Sequence, residues 1–152
     1  MIDILNTLST AMLGFLAGAL LTEGMILVPY WRKMEPAEFL RLHGEMGPSL
    51  FRYFAPLTTA SVLFAVLAAV MSLTGPTLSY ARLIAGGGAM LTLMIFFIYF
   101  KTANQSFADQ SLPHDALKPE LTRWATWHWI RTAIIITAFV CAVVAERSPD
   151  LC

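Results

Sequence analysis

The chain has 152 residues, 57% of which are hydrophobic and only 13% charged, and its formal net charge is zero. A soluble domain averages about 25% charged residues and a nucleic-acid-binding domain carries a basic surface, so the composition argues against both classes. Long apolar runs fill most of the chain, and a bilayer crossing needs roughly 20 such residues. The sequence therefore predicts one integral-membrane domain over residues 1–152, in contact with the lipid bilayer and without a nucleic-acid partner.

The predicted fold is an all-α membrane protein, an antiparallel four-transmembrane-helix bundle. The helices are expected at about residues 4–30, 48–73, 81–101 and 119–146. Short connections favour antiparallel neighbours, because a short loop cannot carry the chain back across the bilayer.

The first helix combines a glycine pair with an acidic residue. Gly14 and Gly18 have the GxxxG spacing that allows two helices to approach closely. Glu23 lies eight residues before Trp31, about 12 Å along a helix axis, which places its carboxyl group below the lipid headgroups. A carboxyl group there is expected to be kept neutral by burial, to reach water at the interface, or to bind a ligand or transfer protons.

A short amphipathic helix is predicted over about residues 36–46, between the first two membrane helices. Pro36 suits the first turn of a helix. Phe39, Leu40 and His43 give the segment one apolar side, which is expected to lie along the membrane surface or under the bundle. Gly47-Pro48 is expected to end this helix and to begin the next.

The third helix contains Gly86-Gly87-Gly88, for which close packing against another helix is the expected role. Asn104 is expected just past the end of this helix, before a solvated loop that reaches residue 118. Pro119 is expected to open the fourth helix. Cys141 and Cys152 have no metal-ligand spacing, and no disulfide between them is expected.

Basic residues are distributed unevenly between the two sides of this predicted bundle. Only Arg82 and Arg147 fall on the side of the second loop. The other eight fall on the side of the first and third loops: Arg32, Lys33, Arg41, Arg52, Lys101, Lys118, Arg123 and Arg131. The positive-inside rule then predicts cytoplasmic first and third loops and two extracytoplasmic termini, in a multi-pass protein of the bacterial inner membrane.

The fourth helix opens with Trp124, His128 and Arg131 at positions i, i+4 and i+7, which share one face. Ionisable groups in a membrane need partners or a function. In the predicted topology the unusual polar residues all belong to the cytoplasmic half of the bundle: Glu23, His43, Glu45, Arg52, Asn104, His128 and Arg131. Because bundle cores often hold sites made from facing helices, the sequence predicts a polar pocket at this end.

Several chemistries fit such a pocket. Glu23, His43 and His128 are candidate ligands for a transition metal (iron, copper or zinc), and two histidines on different helices can also clamp a haem. Alternatively His128 is an acid or base oriented by Glu23 or Glu45. Arg131 and Asn104 are then expected to polarise an oxygen or hold an anion.

A structural interpretation of the same residues remains open. In it, Arg131 reaches out to lipid phosphates, while Trp124, Trp127 and Trp129 anchor the helix in the membrane interface.

The chain resembles the small four-helix membrane family of unknown-function proteins that includes the fungal and bacterial anthrone oxygenases. The shared outline covers the whole length and consists of Gly14, Gly18, Pro29, Asn104, Trp124, His128 and Arg131. The resemblance implies oxygenation of an activated aromatic carbon, anthrone to anthraquinone, without a classical organic cofactor. In that chemistry His128 is expected to form the enolate of the substrate, while Arg131 and Asn104 stabilise its oxyanion.

The sequence is therefore compatible with two classes of function. The first is an oxidoreductase of the monooxygenase type that acts on a small apolar or aromatic substrate at the cytoplasmic end of the bundle. The alternative is a non-catalytic accessory or assembly subunit of a larger membrane complex, and a homo-oligomer is compatible with either class. A transporter is disfavoured, because four helices without an internal repeat lack the usual architecture for alternating access.

Overall fold

A computed structural model describes residues 2–75 and 78–147, and every regular element in these ranges is helical. Four long helices follow one another: α1 (Ile2–Trp31), α2 (Pro36–Thr74), α3 (Tyr80–Ala108) and α4 (His114–Arg147). Each is long and apolar enough to cross a membrane, which confirms the predicted helical, multi-pass class. Cys141 is a free cysteine in α4, while the predicted lack of a disulfide to Cys152 concerns a residue outside the described ranges.

α2 differs from the prediction at its start. The structure has one helix of 39 residues where a break at Gly47-Pro48 was expected, so the predicted helix over residues 36–46 forms the first turns of α2. A proline inside a helix removes one backbone hydrogen bond, and the helix tolerates this loss at Pro48 and again at Pro56. Packing holds both sides of this region, because Phe39 is buried before it and Val62 is buried after it.

α3 and α4 both extend further toward each other than the sequence predicted. α3 continues to Ala108, so Asn104 lies inside the helix and not after it. α4 begins at His114, and Pro119 therefore lies within its first turns. The extended segments contain Phe107 of α3 and Leu117 of α4, which are both buried. Burial of these two side chains stabilises the helical conformation beyond the polar residues. The remaining link covers residues 109–113.

The four helices pack in a ring, in which α1 and α3 each contact both α2 and α4. One half of the core is rich in alanine and leucine, and the other half is rich in aromatic residues. The predicted close packing of the glycine run is confirmed at Gly86, where an added Cβ would lie 2.7 Å from the Cβ of Ala69. Gly88 lies against Ala138, whereas Gly87 has no heavy atom within 4 Å of its hypothetical Cβ.

Two helices contain a π-helical turn, Glu23–Leu27 in α1 and Phe96–Phe100 in α3. Such turns carry i→i+5 hydrogen bonds, are rare, and occur frequently at functional sites. Both turns border the aromatic half of the core, since Val28 and Phe100 belong to it. The two turns therefore indicate a candidate site among the side chains between α1, α3 and α4 in the aromatic half of the core.

Candidate active site at a buried ion pair

The centre of the site is an ion pair between α1 and α4. Nη2 of Arg131 lies 3.1 Å from Oε2 of Glu23, and the two side chains are only 12% and 6% exposed. Glu23 is the first residue of the π-helical turn of α1. The sequence predicted that each of these ionisable residues needs a partner inside the membrane. The structure provides it, because the two side chains pair with each other across the interface between α1 and α4.

His128 is the third member of the cluster and is fully buried. Its Nε2 lies 2.9 Å from the carbonyl oxygen of Leu20, so the network assigns the ring proton to Nε2, which donates to that oxygen. Nδ1 is then free to accept a hydrogen bond from Nη2 of Arg131 at 3.0 Å. His128 thus connects the backbone of α1 to the guanidinium group that holds Glu23.

A glycine allows this close approach of α1 and α4. A Cβ at Gly24 would lie 3.0 Å from Nε2 of His128 and 3.0 Å from the ring of Trp129. A larger residue at this position would push the imidazole away from Leu20. Sequence reasoning missed Gly24, since it lacks the GxxxG spacing that drew attention to Gly14 and Gly18.

Trp124 forms one wall of the cluster. Its ring stacks on the imidazole of His128, with 5.1 Å between centroids and 8° between planes. Its indole Nε1–H donates to Oδ1 of Asn104 at 2.8 Å. Trp124 is buried, while Trp127 and Trp129 are considerably more exposed, so the interpretation as a membrane anchor does not apply to Trp124.

The guanidinium group of Arg131 also lies over an aromatic ring. Its Cζ is 4.0 Å from the centroid of Phe100, the last residue of the π-helical turn of α3. A cation over a ring face is attracted by about 2 kcal/mol or more when both groups are desolvated. Phe100 was another residue that the sequence analysis did not select, because aromatic residues are common throughout this helix.

His43 lies in a different environment, and it lines the same cavity as Glu23. Its ring packs among Trp31, Phe39 and Phe107, at centroid distances of 6.2, 5.4 and 5.3 Å. The described ranges contain no group of three or more His, Cys, Asp or Glu residues that can hold a metal ion. The predicted metal set of Glu23, His43 and His128 is therefore not assembled there.

The hydrogen bonds of His128 also disfavour metal binding by this residue. Both ring nitrogens of His128 are already engaged, one by a carbonyl oxygen and the other by a guanidinium donor. In this arrangement neither nitrogen is available to a metal ion or to the iron of a haem.

Two other residues of the predicted pocket lie apart from the cluster. Glu45 pairs with Arg41 at 2.9 Å on the exposed side of α2. Arg52 donates to Ser49 at 3.3 Å and is also exposed. Glu45 therefore does not orient His128, and Glu23 is the carboxylate that lies beside it, with 3.5 Å between Oε2 and Nδ1.

A cavity of about 620 Å³ opens beside the ion pair. The segment of α2 that contains Pro48 and Pro56 forms one side of it, from Gly47 to Thr59. Most lining residues are apolar. The polar ones include Glu23, His43, Lys101, Asn104, Gln105 and Arg131.

His128 is not among the residues that line this cavity. Pockets for small molecules are commonly about 300–1,000 Å³ and mainly apolar, with a few placed polar groups. The cavity has this character, and it reaches Glu23 and Arg131 directly.

Comparison of this chain with protein-family models, with curated proteins and with solved structures finds no match. The chemistry of the site is therefore deduced from its own residues: a carboxylate, a guanidinium group and an amide at the wall of an apolar cavity.

Proposed function

We propose that this protein is an integral-membrane oxidoreductase that oxygenates a small apolar or aromatic substrate in the cavity beside Glu23 and Arg131. The observation that carries the proposal is a buried ion pair in the wall of an apolar cavity of about 620 Å³. Charged side chains inside a membrane are costly and usually mark functional sites. A cavity of this size suits a flat molecule of two or three fused rings.

The polar wall supplies groups suited to forming an enolate. Arg131 and Asn104 line the cavity, and the indole of Trp124 occupies Oδ1 of Asn104, so the amide NH₂ of Asn104 remains to donate. Donors placed where negative charge develops lower the barrier for its formation. His128 supports Arg131 by the hydrogen bond at Nδ1. An electron-rich enolate held here reacts with dioxygen, so that a ring CH₂ becomes a carbonyl group and the second oxygen atom leaves as water.

The proposal includes an antiparallel bundle in the bacterial inner membrane, with both termini outside the cytoplasm. The antiparallel arrangement is supported by the pairing of α1 with α4, in which Leu20 lies beside His128 and Gly14 lies beside Phe139, and the orientation by the distribution of basic residues. Residue numbers thus rise along one helix as they fall along the other. The site is then at the cytoplasmic end, and the exposed pair of Arg41 and Glu45 fits a first part of α2 at the membrane surface.

Thiol labelling in intact cells tests this topology. In a background without the natural cysteines, Ser111→Cys is expected to stay unlabelled by a membrane-impermeant maleimide until the cells are opened. Asp3→Cys is expected to react in intact cells. The reverse pattern would place the site at the outer face.

Oxygen uptake by the protein in nanodiscs tests the activity, with anthrone as substrate and the absorbance of the quinone as second readout. Ala55 lines the cavity, so Ala55→Trp is expected to obstruct part of it and to reduce turnover at least tenfold. Leu63→Trp is the matched control, because Leu63 is exposed on the same helix. Equal turnover in both variants, or none in the unaltered protein, would contradict the proposal, and stoichiometric copurification with a larger complex would favour the accessory subunit.

A further inference from the structure

We infer that Glu23, and not His128, is the base that takes the proton from the substrate, which is a carbon acid with an apolar body. His128 is a positioning residue in this assignment. The inference rests on the proposed function, because it names the first chemical step at the same site. It differs from the expectation from sequence, in which the imidazole removes the proton.

The imidazole of His128 is shut off from the cavity. His128 has no exposed surface, does not line the cavity, and uses Nε2 for the Leu20 carbonyl and Nδ1 for Arg131. A base must come within hydrogen-bond distance of the proton that it removes, directly or through one water. The imidazole has neither a free nitrogen nor a path to the cavity in this arrangement.

Glu23 meets both requirements that His128 does not. It lines the cavity, and only its Oε2 is held by Arg131. Within the described ranges its Oε1 accepts no hydrogen bond, and it is not among the enclosed side-chain oxygens that lack a partner. One oxygen thus fixes the carboxylate while the other remains for a substrate.

Arg131 uses some of its N–H donors within the cluster and has others left for a substrate. Its Nη2 serves both Glu23 and His128. Nε is enclosed and has no partner in the described part of the chain, so it is not open to a substrate. Nη1 makes no hydrogen bond there and is not among the enclosed atoms without a partner. Its two N–H donors therefore remain for a substrate oxygen beside the carboxylate.

These positions define a balanced proton transfer. Oε1 of Glu23 takes the proton from a C–H bond, the electron pair of that bond forms a carbon–carbon π bond, and the carbonyl oxygen of the substrate becomes an oxyanion. The oxyanion accepts hydrogen bonds from Arg131. Because the negative charge only moves from Glu23 to the substrate, the site keeps the same net charge beside the guanidinium group, and the step needs no oxidant.

The test measures this step without dioxygen. Anthrone is incubated in deuterated buffer under argon with the protein in nanodiscs, and exchange of its ring CH₂ protons is followed by proton NMR against empty nanodiscs. The unaltered protein is expected to accelerate exchange, and Glu23→Gln to reduce the acceleration at least 100-fold, within the range of about 10²–10⁴ for general-base catalysis. Glu45→Gln is the matched control and is expected to have no effect, because Glu45 is on the exposed side of α2.

Rescue by small molecules separates a base from a structural group. Formate is expected to restore exchange at least tenfold in Glu23→Ala, whereas imidazole is expected to give no gain in His128→Ala. If Glu23→Ala fails to fold, Glu23→Asp is used, and it is expected to retain reduced exchange because it keeps a carboxylate. Full exchange in Glu23→Gln, rescue of His128→Ala by imidazole, or no exchange with the unaltered protein would each overturn the inference.

The two proposals fail separately. Exchange without oxygen uptake in the aerobic assay would end the oxygenase proposal and leave Glu23 as the base. Oxygen uptake without exchange would support the oxygenase proposal and overturn the assignment of Glu23 as the base.

Discussion

Glu23 and Arg131 are separated by 108 positions in the chain, yet Nη2 of Arg131 lies 3.1 Å from Oε2 of Glu23. The pair joins the first and last helices inside the bundle, at the wall of the cavity. One of its donors also reaches His128. Structure and proposed chemistry therefore depend on the same two side chains.

The ion pair is expected to show strong coupling in a double-mutant cycle. Removing one partner of a buried pair typically costs about 3–5 kcal/mol, because the other charge is left uncompensated. Glu23→Gln and Arg131→Met should therefore each lower the free energy of unfolding in micelles by more than half of the effect of both together. Arg41→Met and Glu45→Gln are the controls, and this exposed pair is expected to contribute only about 0.3–0.5 kcal/mol. Strict additivity at Glu23 and Arg131 would show that the pair is not formed.

His128 is expected to be the tautomer with its proton on Nε2. The carbonyl oxygen of Leu20 can only accept, and Arg131 can only donate, so the two partners fix the proton at one nitrogen. Long-range ¹H–¹⁵N correlation spectra of histidine-labelled protein distinguish the tautomers. His43→Gln and His114→Gln assign the remaining signals. A pattern typical of a proton on Nδ1 would show that the imidazole is turned over.

Asn104 is expected to keep Trp124 in place over His128. Asn104→Leu removes the acceptor of the indole N–H, and a buried donor without a partner costs about 1–3 kcal/mol. A lower melting temperature and altered fluorescence of Trp124 are expected. Asn104→Asp retains an acceptor oxygen and should preserve the fluorescence, whereas an unchanged spectrum in Asn104→Leu would exclude the hydrogen bond at 2.8 Å.

Gly24 and Gly18 form a matched pair on α1. A Cβ at Gly24 meets His128 and Trp129 at 3.0 Å, whereas a Cβ at Gly18 meets nothing within 4 Å. Gly24→Ala is expected to destabilise the protein by about 1–3 kcal/mol through overpacking and to shift the His128 signals. Gly18→Ala is expected to be neutral or to stabilise by up to about 1 kcal/mol, since alanine favours a helix. Equal melting temperatures for the two variants would mean that α1 and α4 are further apart.

The sequence predicted the membrane class of the protein because hydrophobicity is summed over long segments. The ends of the helices were predicted less accurately. A break was expected at Gly47-Pro48 and a helix end before Asn104, whereas buried residues such as Phe39 and Phe107 stabilise continuous helices there in the folded protein. A residue-by-residue reading has no access to those neighbours, which belong to other turns or other helices.

The sequence by itself determined that Glu23, His128 and Arg131 had to find partners, because isolated charges and imidazoles are expensive in lipid. It also determined that an apolar, four-helix chain would bring such residues into its interior. Only the tertiary structure decided the distribution of roles. The rotation of each helix about its own axis turns Glu23 and Arg131 toward the cavity and His128 away from it. It also turns Glu45 to the exposed side and His43 into an aromatic cluster. That rotation is set by packing between helices, such as Gly24 against His128, and packing is a property of pairs of helices that no single segment encodes.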